Sequence, residues 1–260
     1  MIRLVYLLRR KADMSLESFQ RYWREEHGPL VASLASRLQA QRYVQVHALV
    51  DPINDAMRDA RGGMEPIYDG VAELWWESEA ALREVLASTD GQAAAATLLE
   101  DEARFIDLAA SPLWLNVELP QVNPAGEAVV ATPRSSWVKL YFPLRLQAAI
   151  GFTEGQRYWR TQHGPIIRSQ APASGIHRYQ QVHRIESDLE AAMRAARGTE
   201  VDAYDGHAEV WFDRGRRPGS VEAQQANARA IDDESKFIDF PRSSMWIGKE
   251  LVFIDRTGWL

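Results

Sequence analysis

The chain of 260 residues contains no cysteine. A disulfide framework, a thiol nucleophile and a thiolate metal site are therefore excluded, and a chain without thiols suits the reducing cytoplasm, where we expect it to reside. Long apolar runs are missing too. The opening MIRLVYLLRR offers only Leu4 to Leu8, too short for a signal-peptide core or a bilayer crossing, so no membrane partner is expected. Positive charge is not in excess: 30 Lys and Arg face 36 Asp and Glu, leaving a net charge of −6. Nothing in that balance neutralises phosphates, and no nucleic-acid partner is expected. The glycine-containing segments RGGMEP and ARGTEV match neither the P-loop nor the dinucleotide fingerprint, and the GxSxG elbow of hydrolases is absent. Histidines do not occur in HxH, HxxxH or HExxH spacing, so no metal is expected.

What is present is one module written twice. Gln20 to Pro29 reads QRYWREEHGP and Gln156 to Pro165 reads QRYWRTQHGP. The same register relates RYVQVH from Arg42 to RYQQVH from Arg178, AMRDARG from Ala56 to AMRAARG from Ala192, and YDGVAELWW from Tyr68 to YDGHAEVWF from Tyr204. DEARFIDL from Asp101 then matches DESKFIDF from Asp233 with the spacing shortened, because DRGRRPGS replaces helical sequence between Phe212 and Asp233 in the second copy. The hydrophobic fraction of 46% lets each half form its own core. We expect a first repeat over residues 1–119, a Pro- and Gly-containing linker over 120–135, a second repeat over 136–252 and a tail over 253–260.

Within one half, Ile2 to Arg9, Arg42 to Val50, Val71 to Trp76 and Trp114 to Leu119 pattern as strands. A helix capped by Ser15 with Glu17 in its first turn follows the first strand, a short helix occupies Ile53 to Arg61, and one or two helices occupy Glu79 to Phe105. The order βαββαβ is an α+β, ferredoxin-like plan: a four-stranded antiparallel sheet with helices over one face. The uncovered faces of two such sheets predict sheet-to-sheet packing about a pseudo-twofold axis within one chain.

On the first helix Phe19, Trp23 and His27 are spaced four apart, which turns His27 toward the sheet. His163 after Trp159 repeats the arrangement. A histidine on an apolar helical face is either a satisfied core residue or a reactive one, and its duplication favours the second. On the second strand, alternation puts Tyr43, Gln45 and His47 on one face, and Tyr179, Gln181 and His183 do the same. Three polar groups there suit either solvent or a ligand-filled space. On the third strand, Glu73 and Glu209 stand in apolar runs beside Trp75 and Trp211, either as partly buried acids with raised proton affinity or as edge-strand groups reaching water. His207 stands two residues before Glu209, where the first half has Val71. The paired arginines of AMRxARG suit an acidic substrate or a solvated surface helix. Phe19 corresponds to Gly155, and together with His207 this predicts a second pocket larger and more polar than the first.

With YWREEHGP, RYVQVH, YDGVAELWW and DEARFID in place, each half resembles an EthD domain of the dimeric α/β-barrel superfamily. The resemblance covers about residues 1–119 and 137–252. It implies two facing sheets in an intrachain dimeric α/β barrel, with a small pocket in each unit between helices and sheet. It further implies chemistry without metal or organic cofactor, as in similar dehydratases, decarboxylating tailoring enzymes of aromatic polyketides and a muconolactone methylisomerase. Carried over, the motif histidine is His27 or His163 and the strand tyrosine is Tyr43 or Tyr179; members with a cysteine in the site have no counterpart here.

These readings converge on a cofactor-independent lyase or isomerase acting on a hydrophobic, oxygenated, cyclic or aromatic small molecule. His27, Tyr43 and His47, with His163, Tyr179 and His183, are the candidate catalytic residues; Trp23, Glu73, Trp75, Trp159, His207, Glu209 and Trp211 are the candidate pocket residues. The alternatives are a binding or stress-response protein without turnover, and a cofactor-free or haem-assisted oxygenase. The chain is expected as a monomeric pseudo-dimer or a further homodimer of it.

Overall fold

The computed structural model describes residues 1–123, 129–216 and 219–258. Residues 124–128 of the expected linker, 217–218 of the shortened second-copy segment and 259–260 of the tail lie outside that set. In the first half β1 (Ile2–Leu8) leads to helix α1 (Leu16–Tyr22), begun by Ser15, whose side chain accepts the Ser18 N–H. A π-helical turn over Trp23–His27 follows, then α2 (Gly28–Ser33) and α3 (Ala35–Leu38), ended by Gln39 in the left-handed region. Next come β2 (Arg42–Ala48), α4 (Pro52–Asp59), β3 (Gly70–Trp76), α5 (Glu79–Ala87), α6 (Thr89–Phe105) and β4 (Leu113–Val122).

The second half retraces this path. It runs through β5 (Trp137–Leu144), α7 (Phe152–Tyr158), a π-helical turn over Trp159–His163, α8 (Gly164–Ser174), β6 (Ile176–Arg184), α9 (Asp188–Arg197), β7 (Gly206–Asp213), α10 (Val221–Glu234) and β8 (Trp246–Asp255). A 3-10 turn over Arg214–Arg216 stands where the first half has α5. Regular structure reaches past both expected boundaries, since β4 continues to Val122 and β8 to Asp255.

All strand pairs are antiparallel, in the closed order β1-β3-β2-β8-β5-β7-β6-β4. Each half supplies four neighbouring strands, and the halves meet through β2 with β8 and β4 with β6. Sequence patterning anticipated two sheets packed on each other. The structure instead joins them edge to edge as well, because closure pairs the N–H and C=O groups that two open sheets would leave at their rims.

Closure buries both faces of strands such as β1 and β3. Val5, Val46, Val71, Trp75, Trp114 and Trp246 fill the barrel, while Leu4, Tyr6, Leu8, Tyr43 and Ala72 turn outward beneath the helices of the first half. Phe142, Leu144, Tyr179 and Ala208 do so beneath those of the second. A strand covered on both faces reads as a nearly continuous apolar run, as IRLVYLL does in β1.

Candidate functional site

The HGP motif makes local sense as a device for turning a helix against a sheet. In the π-helical turn the Gly28 N–H reaches back to the Trp23 carbonyl, and the Gln45 side-chain amide donates to that same carbonyl at 2.7 Å. A Cβ at Gly28 would stand 2.4 Å from the Phe253 ring and 3.0 Å from the Gln45 amide, so only glycine permits this approach. Pro29 then occupies the first turn of α2. Gln181 and Trp159 reproduce the bond at 2.8 Å. Inserted π turns recur at functional sites because they re-aim the side chains on either side.

Here the re-aimed side chain is the histidine. His27 Nδ1 lies 2.8 Å from Asp101 Oδ2, and the Tyr22 hydroxyl donates to the other Asp101 oxygen at 2.7 Å. His163 Nδ1 lies 2.8 Å from Asp233 Oδ2, with the Tyr158 hydroxyl on Oδ1 at 2.8 Å. The bond from His27, then that from Tyr22, holds the Asp101 carboxyl below its ordinary range. Burial opposes the charge on Asp233, but the bonds from His163 and Tyr158 prevail and its carboxyl is lowered as well. An ionised carboxylate on Nδ1 makes that nitrogen the donor and leaves Nε2 as the base.

Each histidine lines a cavity between helices and sheet, of about 340 Å3 in the first half and about 350 Å3 in the second. Leu4, Leu74, Trp76, Leu82 and Leu98 make the first largely apolar. Tyr43 and Tyr179 line them too. The Tyr43 hydroxyl accepts from Trp23 Nε1 at 3.2 Å and from the Gln45 amide at 3.0 Å, so its own proton is free to be donated elsewhere. Tyr179 accepts from Trp159 at 3.3 Å and Gln181 at 3.1 Å. Burial raises both phenols well above their ordinary value, which keeps them protonated.

The other sequence-selected residues stand elsewhere. His47 stacks on Trp23 with ring centres 4.5 Å apart and bonds Gln45 Oε1 through Nε2 at 2.8 Å. His183 stacks on Trp159 at 4.3 Å and bonds Gln181 and Gln156. Burial pushes His47 down to about 3 and His183 down to about 4, so both are neutral. They back the tryptophans and are not among the residues lining either cavity.

Glu73, Trp75, His207, Glu209 and Trp211 lie on the opposite sheet face, inside the barrel. Arg3 bonds both Glu73 and Glu209, and Lys139 Nζ lies 2.8 Å from Glu73 and 2.9 Å from Glu209. Trp75 Nε1 donates to Glu118 and Trp211 Nε1 to Glu250, at 2.9 and 2.8 Å. His207 Nε2 meets the Tyr141 hydroxyl at 2.9 Å and Glu209 at 3.1 Å. Burial raises the Glu73 carboxyl to about 7; it also disfavours the Glu209 charge, but Arg3 and Lys139 outweigh it there and hold that carboxyl well below the ordinary range. Ligand atoms of Glu73, His207 and Glu209 come within 4.8 Å of one another, a spacing a metal could use. The two cationic side chains already on those carboxylates occupy that role, so the donor set does not fit a further cation.

Four cavity residues escaped the sequence reading. Arg197, at the end of α9 in the second half, forms a two-pronged pair with Glu102 of α6 at 2.8 and 2.9 Å, and Arg61 bonds Glu234 at 2.8 Å. The second arginine of AMRxARG is therefore a partly buried wall residue of the opposite repeat's cavity, paired with an acid there. The repetition of DEARF and DESKF carried a signal, since both copies retain the adjacent acids. The second cavity is not appreciably larger, because Leu146 packs where the Phe19 side chain would reach over Gly155. Its rim is more polar, with Ser174 and Asn227 among the lining residues where the first has Leu38 and Ala95.

A closed eight-stranded antiparallel barrel to which each half gives four strands, with a cavity between helices and sheet in each half, defines the dimeric α/β-barrel class within a single chain. Residues 11–109 and 149–241 each match the EthD domain, and the chain belongs to that family, with two copies in tandem. Among curated proteins none matches it by sequence. An anthrone oxidase-like protein superposes with a TM-score of 0.56 at 9% identity, covering 98% of this chain and 94% of that one. A candidate monooxygenase of Fusobacterium nucleatum superposes with a TM-score of 0.52 at 6% identity, covering 100% and 95%. At such identities the likeness is one of fold. Among the described residues no helix is long and apolar enough to cross a membrane.

Proposed function

We propose that each repeat carries a cofactor-independent acid–base site, of lyase or isomerase type, acting on a hydrophobic, oxygenated, cyclic or aromatic small molecule. The observation that carries this reading is the carboxylate-bound histidine facing a largely apolar cavity, present twice. His27 Nε2 takes a proton from a carbon next to a carbonyl, or from a phenol, while Asp101 holds the opposite ring nitrogen and stabilises the imidazolium. The Tyr43 hydroxyl donates to the oxygen on which charge develops. Return of the proton to a different carbon gives isomerisation; its delivery to a departing hydroxyl gives water and an alkene or arene. His163, Asp233 and Tyr179 do the same in the second cavity. His47 and His183, neutral and stacked, position the tryptophan and glutamine behind the tyrosines.

The test is mass spectrometry of a panel of cyclic hydroxyketones and phenols incubated with enzyme under nitrogen and under air. Loss of water, or a new isomer of equal mass, abolished in H27A/H163A, supports the proposal; equal turnover in that variant overturns it. A second reading, cofactor-free oxidation of the same deprotonated substrate by dioxygen, is favoured by the oxidase-like and monooxygenase names of the fold relatives. Oxygen-dependent turnover with oxygen incorporated into the product would replace the first reading with this one. No change in any compound, with tight binding retained, would leave a binding protein.

A further inference from the structure

We propose that the first cavity reads an acceptor oxygen on its ligand through Tyr6, so the two cavities take different members of one compound class. The first takes an apolar ring system with a carbonyl or equivalent oxygen directed at the β1 wall; the second takes one that is hydrocarbon at that place. The inference rests on the cavities being the ligand sites, but on none of the proposed chemistry.

Tyr6 lies in β1, is 3% exposed, and lines the first cavity. Its hydroxyl has no hydrogen-bond acceptor among the described residues: Arg197 beside it can only donate, so the phenol proton is left unspent. Of the neighbouring polar groups in that wall, His27 is held by Asp101 and Glu102 by Arg197, while Tyr43 keeps a free proton that Tyr179 matches in the second cavity, so Tyr43 does not distinguish the two. A buried hydroxyl whose proton finds no acceptor is costly, and native proteins leave few such groups. Something entering the cavity must supply the partner. Burial raises the Tyr6 phenol far above its ordinary value, so it stays protonated and the group it seeks is an acceptor. Arg197 of the other repeat, its guanidinium carbon 5.3 Å from the Tyr6 ring centre, is held on Glu102 of the first repeat and closes the wall beside the hydroxyl.

The second repeat supplies the control. Its register puts Phe142 in β5 where Tyr6 stands in β1, again in the cavity wall, with Arg61 and Glu234 repeating the covering pair. One hydroxyl is the difference at this position. Polarity in the second cavity sits at its rim, with the exposed Asn227.

The experiment compares 1-tetralone with tetralin, which share a skeleton and differ by one carbonyl, by titration calorimetry on the full chain. In the unmodified protein one of the two sites should show an added ketone preference of about tenfold over the other, the usual worth of one hydrogen bond, since Tyr43 and Tyr179 contribute alike to both. Tyr6→Phe should remove that preference while leaving tetralin binding in place. Phe142→Tyr should create the preference at the second site, which keeps the proposal testable should Tyr6→Phe fail to fold. Equal loss of both compounds in Tyr6→Phe, equal ketone preference at the two sites of the unmodified protein, no gain in Phe142→Tyr, or failure of both compounds to bind would overturn it. Both histidine–aspartate pairs stay intact throughout, so these outcomes judge Tyr6 alone, whereas absence of turnover in the substrate panel judges only the acid–base reading.

Discussion

The two faces of the same barrel wall carry ionisable groups in opposite conditions. Inside, Arg3, Lys139, Glu73 and Glu209 saturate one another, and His207 is wedged between Tyr141 and Glu209. Outside, His27 and Tyr43 are each anchored on one side and open on the other, toward a cavity. The richer collection of perturbed groups is thus the structural one. What marks a reactive site here is a hydrogen-bonding valence left over after anchoring and aimed into empty space, not the density of charge. The interior network instead tells the halves how to meet, because Arg3 of one repeat and Lys139 of the other each bridge Glu73 and Glu209.

That contrast is tested most sharply by removing the outward base. H27A/H163A should lower turnover by about 10³-fold with the fold intact by circular dichroism, within the usual range for a general base. Asp101→Asn with Asp233→Asn should cost about 10²-fold, through loss of the acceptor that fixes the tautomer. An equal loss from Arg3→Met would erase the distinction between the faces.

Next in size is the oxyanion donor. Tyr43→Phe with Tyr179→Phe should lower kcat by about 10²-fold while KM changes little, as expected for a bond strengthened in the transition state. A rise in KM at constant kcat would make the tyrosines binding groups only. The inner face should respond in stability: Lys139→Met leaves Glu73 and Glu209 with Arg3 as the remaining shared cation, a loss of about 3–5 kcal/mol in urea denaturation.

Sequence pattern reached the fold further than it reached the site. The α+β class, the four strands of each half and the inward turn of His27 follow from periodicity, because α1 keeps one wet face and one dry face. Glu73 was harder to place. In β3 both faces are buried, so Val71, Glu73 and Trp75 alternate with Ala72, Leu74 and Trp76 without a polar row to mark the outside. Trp75 consequently looked like a companion of Trp23, though a sheet separates them. Arg197 could not be assigned by local reasoning at all. Its partner Glu102 belongs to the other repeat, and only the crossing of α9 over the first cavity brings them together. Gly155 misled for a related reason: a lost side chain opens space only if no neighbour moves in, and Leu146 does.

The smallest effect, and one that draws on both faces, is the pH dependence of stability. Burial lowers His47 and His207 to about 3 and His183 to about 4, from an ordinary value of 6.5. The native state therefore binds fewer protons than the unfolded chain between about pH 4 and 6.5, and stability rises with pH across that window. Glu73 acts with the opposite sign. Its carboxyl, raised to about 7 from 4.5, keeps a proton in the native state that the unfolded chain gives up, so stability declines as pH rises toward 7. Three histidines outweigh one carboxyl at the acid end, so the curve should climb from pH 4 and stop climbing near pH 6.5, where the histidines of the unfolded chain lose their protons, and the downward pull of Glu73 ends near pH 7. Glu73→Gln removes the opposing contribution alone. Urea denaturation at pH 5, 6, 7 and 8 should then show a steeper climb to pH 6.5 than in the unmodified protein; an unchanged slope would mean that the interior proton is not on Glu73.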